Sequence, residues 1–208
     1  MSSYLTPVAC LLSFSSPPTS SFLFLLAPFI FFCVDFLKVM GRVVGELEAA
    51  GVRFALIGGF AMGLHGVSRA TADLDFILAL EDLEAAEAIF TQAGYQREYH
   101  DANVSHFRSP DLAWGRIDVI HAFRAHALGM LERADRLEVS SALALPVVER
   151  EDLIGLKIQA LTNDVDRAAQ DWLDIRLLLE AAAREGQSVD WERIADYLAL
   201  FEKKGKLK

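Results

Sequence analysis

The chain has 208 residues, with 29 Asp and Glu against 20 Lys and Arg and a net charge of -9. At 53% apolar and 24% charged residues it is too apolar for a disordered chain, and its length suits one domain or one core with an appendage. A balance this acidic excludes a broad nucleic-acid-binding face, because non-specific affinity comes from Lys and Arg neutralising phosphates.

Residues 1–34 contain no Asp, Glu, Lys, Arg or His, and they hold both cysteines, Cys10 and Cys33. The rest of the chain therefore has neither a disulfide framework nor a thiolate metal site, which leads us to expect a reducing, cytoplasmic setting. The strongest apolar stretch of this leader, Phe22 to Val34, has 13 residues and is interrupted by Pro28. A membrane helix needs about 20. The basic start and small-residue cleavage site of a secretory signal are missing as well. Three readings stay open: a translation start placed too far upstream, a weak membrane anchor, or a poor signal peptide. On the first, residues 1–34 are a non-domain leader, and no membrane partner is expected.

From residue 35 the pattern becomes regular. Phe36, Val39, Met40, Val43, Val44 and Leu47 form one helical stripe, closed by Gly51. Arg53 to Ile57 reads as a buried strand stopped by Gly58-Gly59, and Phe60 to His65 as a short helix. Asp73 to Leu78 reads as a second strand, and Glu81 to Ala93 as a helix closed by Gly94. Tyr95 to His100, Val104 to Arg108 and Gly115 to Ile120 read as three more strands. Phe123 to Ala134 reads as a helix, with Leu137 to Val139 and Leu143 to Val148 as a small hairpin. Helices follow over Glu151–Thr162, Asp166–Arg184 and Asp190–Lys204. The expectation is an α+β fold: a small mixed sheet of four to five strands with flanking helices over residues 35–148, then a C-terminal helical unit over residues 149–208.

The chemistry concentrates in Ile57-Gly58-Gly59 and Asp73-Leu74-Asp75-Phe76. A strand has a two-residue side-chain period, so Asp73 and Asp75 share one face while Leu74 and Phe76 point to the core. Two carboxylates about 7 Å apart repel, and a pair of divalent cations converts that repulsion into binding. Oxygen-only ligation suits Mg2+ or Mn2+. The glycine pair follows a strand, where bare N–H groups can approach a polyphosphate closely.

This arrangement resembles the nucleotidyltransferase superfamily that includes polymerase beta: an apolar residue and a glycine pair, then Asp-x-Asp flanked by apolar positions, here after a 13-residue interval. The resemblance implies a third carboxylate on an adjacent strand, for which Asp118 in Gly115-Arg116-Ile117-Asp118-Val119-Ile120 is the candidate, with the role of activating the acceptor hydroxyl. Glu151-Asp152-Leu153-Ile154-Gly155-Leu156-Lys157 and Arg167-Ala168-Ala169-Gln170-Asp171-Trp172-Leu173-Asp174 are similar to the AbiEii/AbiGii-type toxin nucleotidyltransferases. That likeness covers residues 36 to 184 and places Lys157 on the triphosphate and Asp171 on the triphosphate or the acceptor. Gln170 stands where many relatives carry Lys.

The resemblance implies an enzyme that uses Mg2+ or Mn2+ to move a nucleoside monophosphate from an NTP to an acceptor. Asp73, Asp75 and Asp118 would be the metal ligands, these three and Lys157 the catalytic set, and Gly58, Gly59, Arg69, Thr71, Lys157 and Asp171 the nucleotide-binding set. The acceptor is a tRNA end, a protein or a small molecule, and an antitoxin partner is implied. The rival reading is a non-catalytic nucleotide-sensing or partner-binding module. Arg69 and Thr71 also suit plain loop support, and Asp174 an ion pair with Arg167 or Arg176. His65, His100, His106, His121 and His126 show no metal spacing and read as structural or solvated, with His121 nearest to Asp118 in sequence. Trp114, Trp172 and Trp191 read as packing residues.

Overall fold

The computed structural model describes residues 39–205, apart from 69–70, 72, 112–113, 142 and 164–167, with side chains described as far as Phe201. The leader, Arg69 and Arg167 lie outside the described residues. Helix α1 covers residues 39–49. Gly51, at φ 71°, then turns the chain into β1 (Phe54–Ile57). There follow α2 (Gly58–Leu64), β2 (Leu74–Ala79), a 3-10 turn (Leu80–Asp82), α3 (Leu83–Gln92), β3 (Gln96–His100), β4 (Val104–Arg108), β5 (Arg116–Ala122) and α4 (Ala125–Arg133). The chain continues through β6 (Asp135–Ser140), β7 (Leu143–Val147), α5 (Arg150–Asn163), α6 (Ala168–Glu185) and α7 (Trp191–Gly205).

The expected four to five strands become one seven-stranded mixed sheet, ordered β3-β4-β5-β2-β1-β7-β6. The difference is the hairpin β6–β7, which does not stand apart. β7 pairs in parallel with β1 at Leu56 and Val147, and the Val148 N–H donates to the Leu56 carbonyl at 3.1 Å. That pairing joins segments some 90 residues apart, a contact that local periodicity does not record.

The two faces of the sheet follow from the two-residue period. Phe107 of β4 and Ile117 and Val119 of β5 are buried on the face covered by α3, where Phe90 meets Phe107 edge-on at 5.0 Å. On the opposite face Asp75 and Ile77, Asp118 and Ile120, and His106 and Val104 alternate along β2, β5 and β4. That face is covered by α5. β3, exposed throughout, is a charged edge strand of the kind that resists further strand pairing.

The C-terminal helices are tied to the sheet by contact and by charge. Gly155 lets α5 approach α7 closely: a Cβ there would lie 2.5 Å from the Tyr197 ring. Asp152, completely buried, accepts from Arg133 of α4 at 2.9 Å and from the Tyr197 hydroxyl at 2.6 Å. Apolar residues of the strands and of all three C-terminal helices form one continuous core.

Candidate active site

β2 is flanked by β1 on one side and β5 on the other. In register, Asp75 lies opposite Ile57 of β1 and opposite Asp118 of β5. Ile57 is followed at once by Gly58, so one side of Asp75 meets the glycine turn and the other meets a second carboxylate. The contact with the turn is close. Gly58 has φ 66°, and a Cβ at that position would lie 2.0 Å from Asp75 Oδ2. The Gly59 N–H donates to the Asp75 carboxylate. Burial pushes Asp75 up to about 6, helped by the charges of Asp118 and Asp73 and opposed by the Gly59 hydrogen bond and by Lys157.

Asp73 sits in the bend immediately before β2, where its Oδ1 accepts the Arg116 N–H at 3.2 Å. Thr71 supports that bend: its Oγ1 lies 3.3 Å from both the N–H and the carbonyl of Asp73. The side chain of Thr71 also packs where a Cβ on Gly59 would stand, at 3.0 Å.

A cleft of about 210 Å³ opens over this end of the sheet, walled by Gly58, Asp75, His106, Asp118, Lys157 and Asp171 among others. Lys157, one turn along α5 from Leu153, places its Nζ 3.0 Å from Asp171 Oδ1 and 2.7 Å from Asp174 Oδ2 on α6. Both carboxylates are buried, so a single ammonium answers two negative charges. Asp171 Oδ2 is buried without a hydrogen-bond partner.

Residues 44–207 match the family described as "Nucleotidyl transferase AbiEii toxin, Type IV TA system". The chain belongs to this AbiEii family. It is a nucleotidyltransferase. No curated protein matches it in sequence. Among solved structures, the antibiotic-resistance factor ANT(2'')-Ia in solution superposes with a TM-score of 0.60 at 15% identity, covering 80% of this chain and 91% of that one. The crystal structure of ANT(2'')-Ia with adenylyl-2''-tobramycin gives 0.57 at 14% identity, covering 80% and 97%. An antigenic nucleotidyltransferase-like protein from Paracoccidioides brasiliensis gives 0.50 at 16%, covering 82% and 88%. These structures share the fold.

In this AbiEii nucleotidyltransferase the residues singled out in sequence fall into two groups. Gly58, Asp75, Asp118, Lys157 and Asp171 line one cleft. Gly59, Thr71 and Asp73 stand beside it in the turn and the bend. Among the described residues no three Asp, Glu, His or Cys side chains are gathered to hold a metal ion. Asp75 and Asp118 are the adjacent pair, while Asp73 is engaged by the Arg116 backbone. The donor chemistry nevertheless fits a divalent cation. Asp75 has its carboxyl pushed up by burial and by two acidic neighbours, one oxygen of Asp171 makes no hydrogen bond, and the candidate ligands are all oxygen.

Sequence reasoning missed His106. Its Nδ1 lies 2.7 Å from Asp118 Oδ1, across the antiparallel pairing of β4 with β5. The signal was available only as alternation in Val104-Ser105-His106-Phe107-Arg108 once that register is known. His121, three residues from Asp118, projects from the opposite face and contacts Ser105 Oγ at 2.9 Å. Asp174 pairs with Lys157 and accepts from Gln170 at 3.1 Å, while Arg176 pairs with Glu180. Trp172 and Trp191 are exposed at 57% and 62%, so they are not packing residues; Trp114 does pack on the core.

The Gly58→Ala variant tests the local geometry. The added Cβ meets the Asp75 carboxylate in a backbone region hostile to Ala, so a loss of about 2–4 kcal/mol is expected in urea unfolding. Transfer activity should fall with it, since Asp75 must leave its position.

Proposed function

We propose that this AbiEii nucleotidyltransferase moves a nucleoside monophosphate from an NTP to an acceptor hydroxyl with the help of Mg2+ or Mn2+. The observation that carries the reading is the register pairing of Asp75 with Asp118 beside the glycine turn, in a cleft that Lys157 and Asp171 also line. Asp75 and Asp118, with Asp73 at the rim, would hold the cation. When bound, it supplies Lewis acidity to the phosphoryl group and lowers the pKa of the acceptor hydroxyl. Lys157 would face the triphosphate, and the bare backbone of Gly58 and Gly59 would let Asp75 and Thr71 close against the turn that receives it. Thr71 and Arg69 would complete the nucleotide side. Asp171, with one oxygen unpartnered, would accept a hydroxyl rather than meet phosphate.

In the transfer the acceptor oxygen attacks the α-phosphorus. The new P–O bond forms as the bond to the bridging oxygen of the β-phosphate breaks, and pyrophosphate leaves with that electron pair. The hydroxyl proton passes to Asp118. His106 holds one oxygen of Asp118 and so fixes the orientation of the other. His106→Ala is expected to lower kcat about 10- to 100-fold with the fold intact, the usual cost of losing a partner that orients a ligand. Steady-state kinetics beside thermal unfolding reads both quantities.

The division at residues 148 and 149 belongs to this proposal, with the helical unit supplying Lys157 and Asp171 to a site begun on the sheet. So does a cytoplasmic location. No helix of the described residues is long and apolar enough to cross a membrane. The acceptor is a tRNA end, a protein or a small molecule, and the family description points to a toxin held by an antitoxin partner.

The deciding experiment supplies each α-labelled NTP with Mg2+ to the protein and a total extract of RNA, protein and small molecules. Label entering one fraction, lost on chelation, is the expected result. NTP binding without label transfer would replace this reading with a nucleotide-sensing module.

A further inference from the structure

A second cavity, of about 570 Å³, adjoins the catalytic cleft. The two share Val104, Ile120, Leu156 and Ala160 as walls. They run in series along one sheet face: two residues beyond Asp75 stands Ile77, two beyond Asp118 stands Ile120, and two before His106 stands Val104. Its position relative to the carboxylates is informative. The glycine turn lies on the β1 side of Asp75, whereas the second cavity is reached over β5 and β4, from the Asp118 side. A triphosphate on the glycine turn therefore leaves this cavity to the other reactant.

Its lining is chemically one-sided. The floor is apolar, with Ile77, Ile120, Met130 and Phe201. The remaining lining includes Asn103, Gln159, Thr162 and Asn163, which are neutral, and Arg124, which is cationic. Arg124, exposed, lies with its guanidinium 4.7 Å from the centre of the Phe123 ring. Among the described lining residues there is no carboxylate. A polycation gains nothing from these described walls, while a neutral or anionic molecule with an apolar body fills the floor and meets Arg124. The volume falls within the roughly 300–1,000 Å³ of small-ligand pockets.

We propose that this second cavity is the acceptor subsite, and that it takes an acceptor with an apolar body and a neutral or anionic, not polycationic, polar end. The proposal rests on the transfer reading for the word acceptor, and its test is independent of turnover. Three probes of one shape are compared: phenyl β-glucoside, its 6-phosphate and its 6-amino-6-deoxy analogue. Binding to the wild-type protein is followed by the methyl NMR signals of Ile77, Ile120 and Met130, without NTP or metal. The 6-phosphate should bind at least threefold more tightly than the neutral glucoside at low salt, and the amine at least threefold more weakly, with differences that shrink as salt rises. Gln159→Trp, at a residue that lines the second cavity and not the catalytic cleft, should abolish the shifts while Mn2+ binding, read by EPR, stays within twofold of wild type. Arg124→Glu, a surface change that spares the core, should reverse the order of the charged probes. Tightest binding by the amine, or unmoved methyl signals with all three probes, overturns the proposal. Absence of NMP transfer in the labelled-NTP assay, with these shifts present, would instead remove the transfer reading and the cavity's role as acceptor subsite while leaving a ligand cavity of the stated charge preference.

Discussion

Asp75→Asn is expected to lower NMP transfer by about 10³-fold while making the metal-free protein more stable at neutral pH. The opposite signs have one cause. Asp75 is half-buried between the glycine turn and Asp118, and burial with the charges of Asp118 and Asp73 pushes its carboxyl up to about 6 from its ordinary 3.8. Between those two values the folded protein binds a proton that the unfolded chain has released. Stability therefore falls as pH rises from about 4 to about 6, and the cost is complete above that window. Asn keeps the shape and carries no charge, so the variant should escape this loss and gain about 1–2 kcal/mol near pH 7.5, with no gain at pH 3.5. Urea unfolding in EDTA across that range checks it. Mg2+ should then raise the stability of the wild type and leave the variant unmoved, because only a protein that binds the ion gains from its presence. A variant that transfers NMP at the wild-type rate ends the assignment of Asp75. If the family's toxin activity belongs to this chain, its expression should arrest growth and that of Asp75→Asn should not.

The second large effect concerns Lys157. Its ammonium is shared by Asp171 and Asp174 at 3.0 and 2.7 Å, both buried. Lys157→Met removes the cation that the two buried carboxylates share, and breaking such a cluster typically costs about 3–5 kcal/mol. Adding Asp171→Asn and Asp174→Asn to the same chain removes the charges and should restore most of that stability. Activity should not return if Lys157 serves the triphosphate as proposed. Measuring unfolding and NMP transfer on the single and triple variants separates the two roles of the lysine. Recovery of transfer in the triple variant would show Lys157 to be a structural counter-ion and nothing more.

Much of the sheet could be read directly. Ile57-Gly58-Gly59 marks a strand that stops at a turn, and Asp75 and Asp118 stand out as charges in apolar strands. Those are local signals: glycine's freedom at φ 66° and the period of two are both properties of a few consecutive residues. The seven-stranded width could not be read, because β7 joins β1 across the chain and only packing selects that edge. His106 was passed over for a related reason. A lone histidine in Val104 to Arg108 looks like any solvated one until β4 docks on β5 and sets it opposite Asp118. Asp174 was read as an ion-pair partner of Arg167 or Arg176; Arg176 pairs instead with Glu180, Arg167 lies outside the described residues, and Lys157 of α5 reaches Asp174 from across the helix interface.

Amino-acid order alone thus determined which segments are helix or strand, which carboxylates stand out as candidates and which family the motifs resemble. These follow from interactions within about ten residues, where periodicity and glycine placement leave a trace. Tertiary packing decided how those carboxylates are partnered: Asp75 against Gly58, Asp118 with His106, Lys157 between Asp171 and Asp174. It also decided that a second cavity, with no carboxylate among its described lining residues, opens beside them. Each of these depends on register or helix docking between distant segments, and a shift of one residue in any strand would turn the same side chains to the other face.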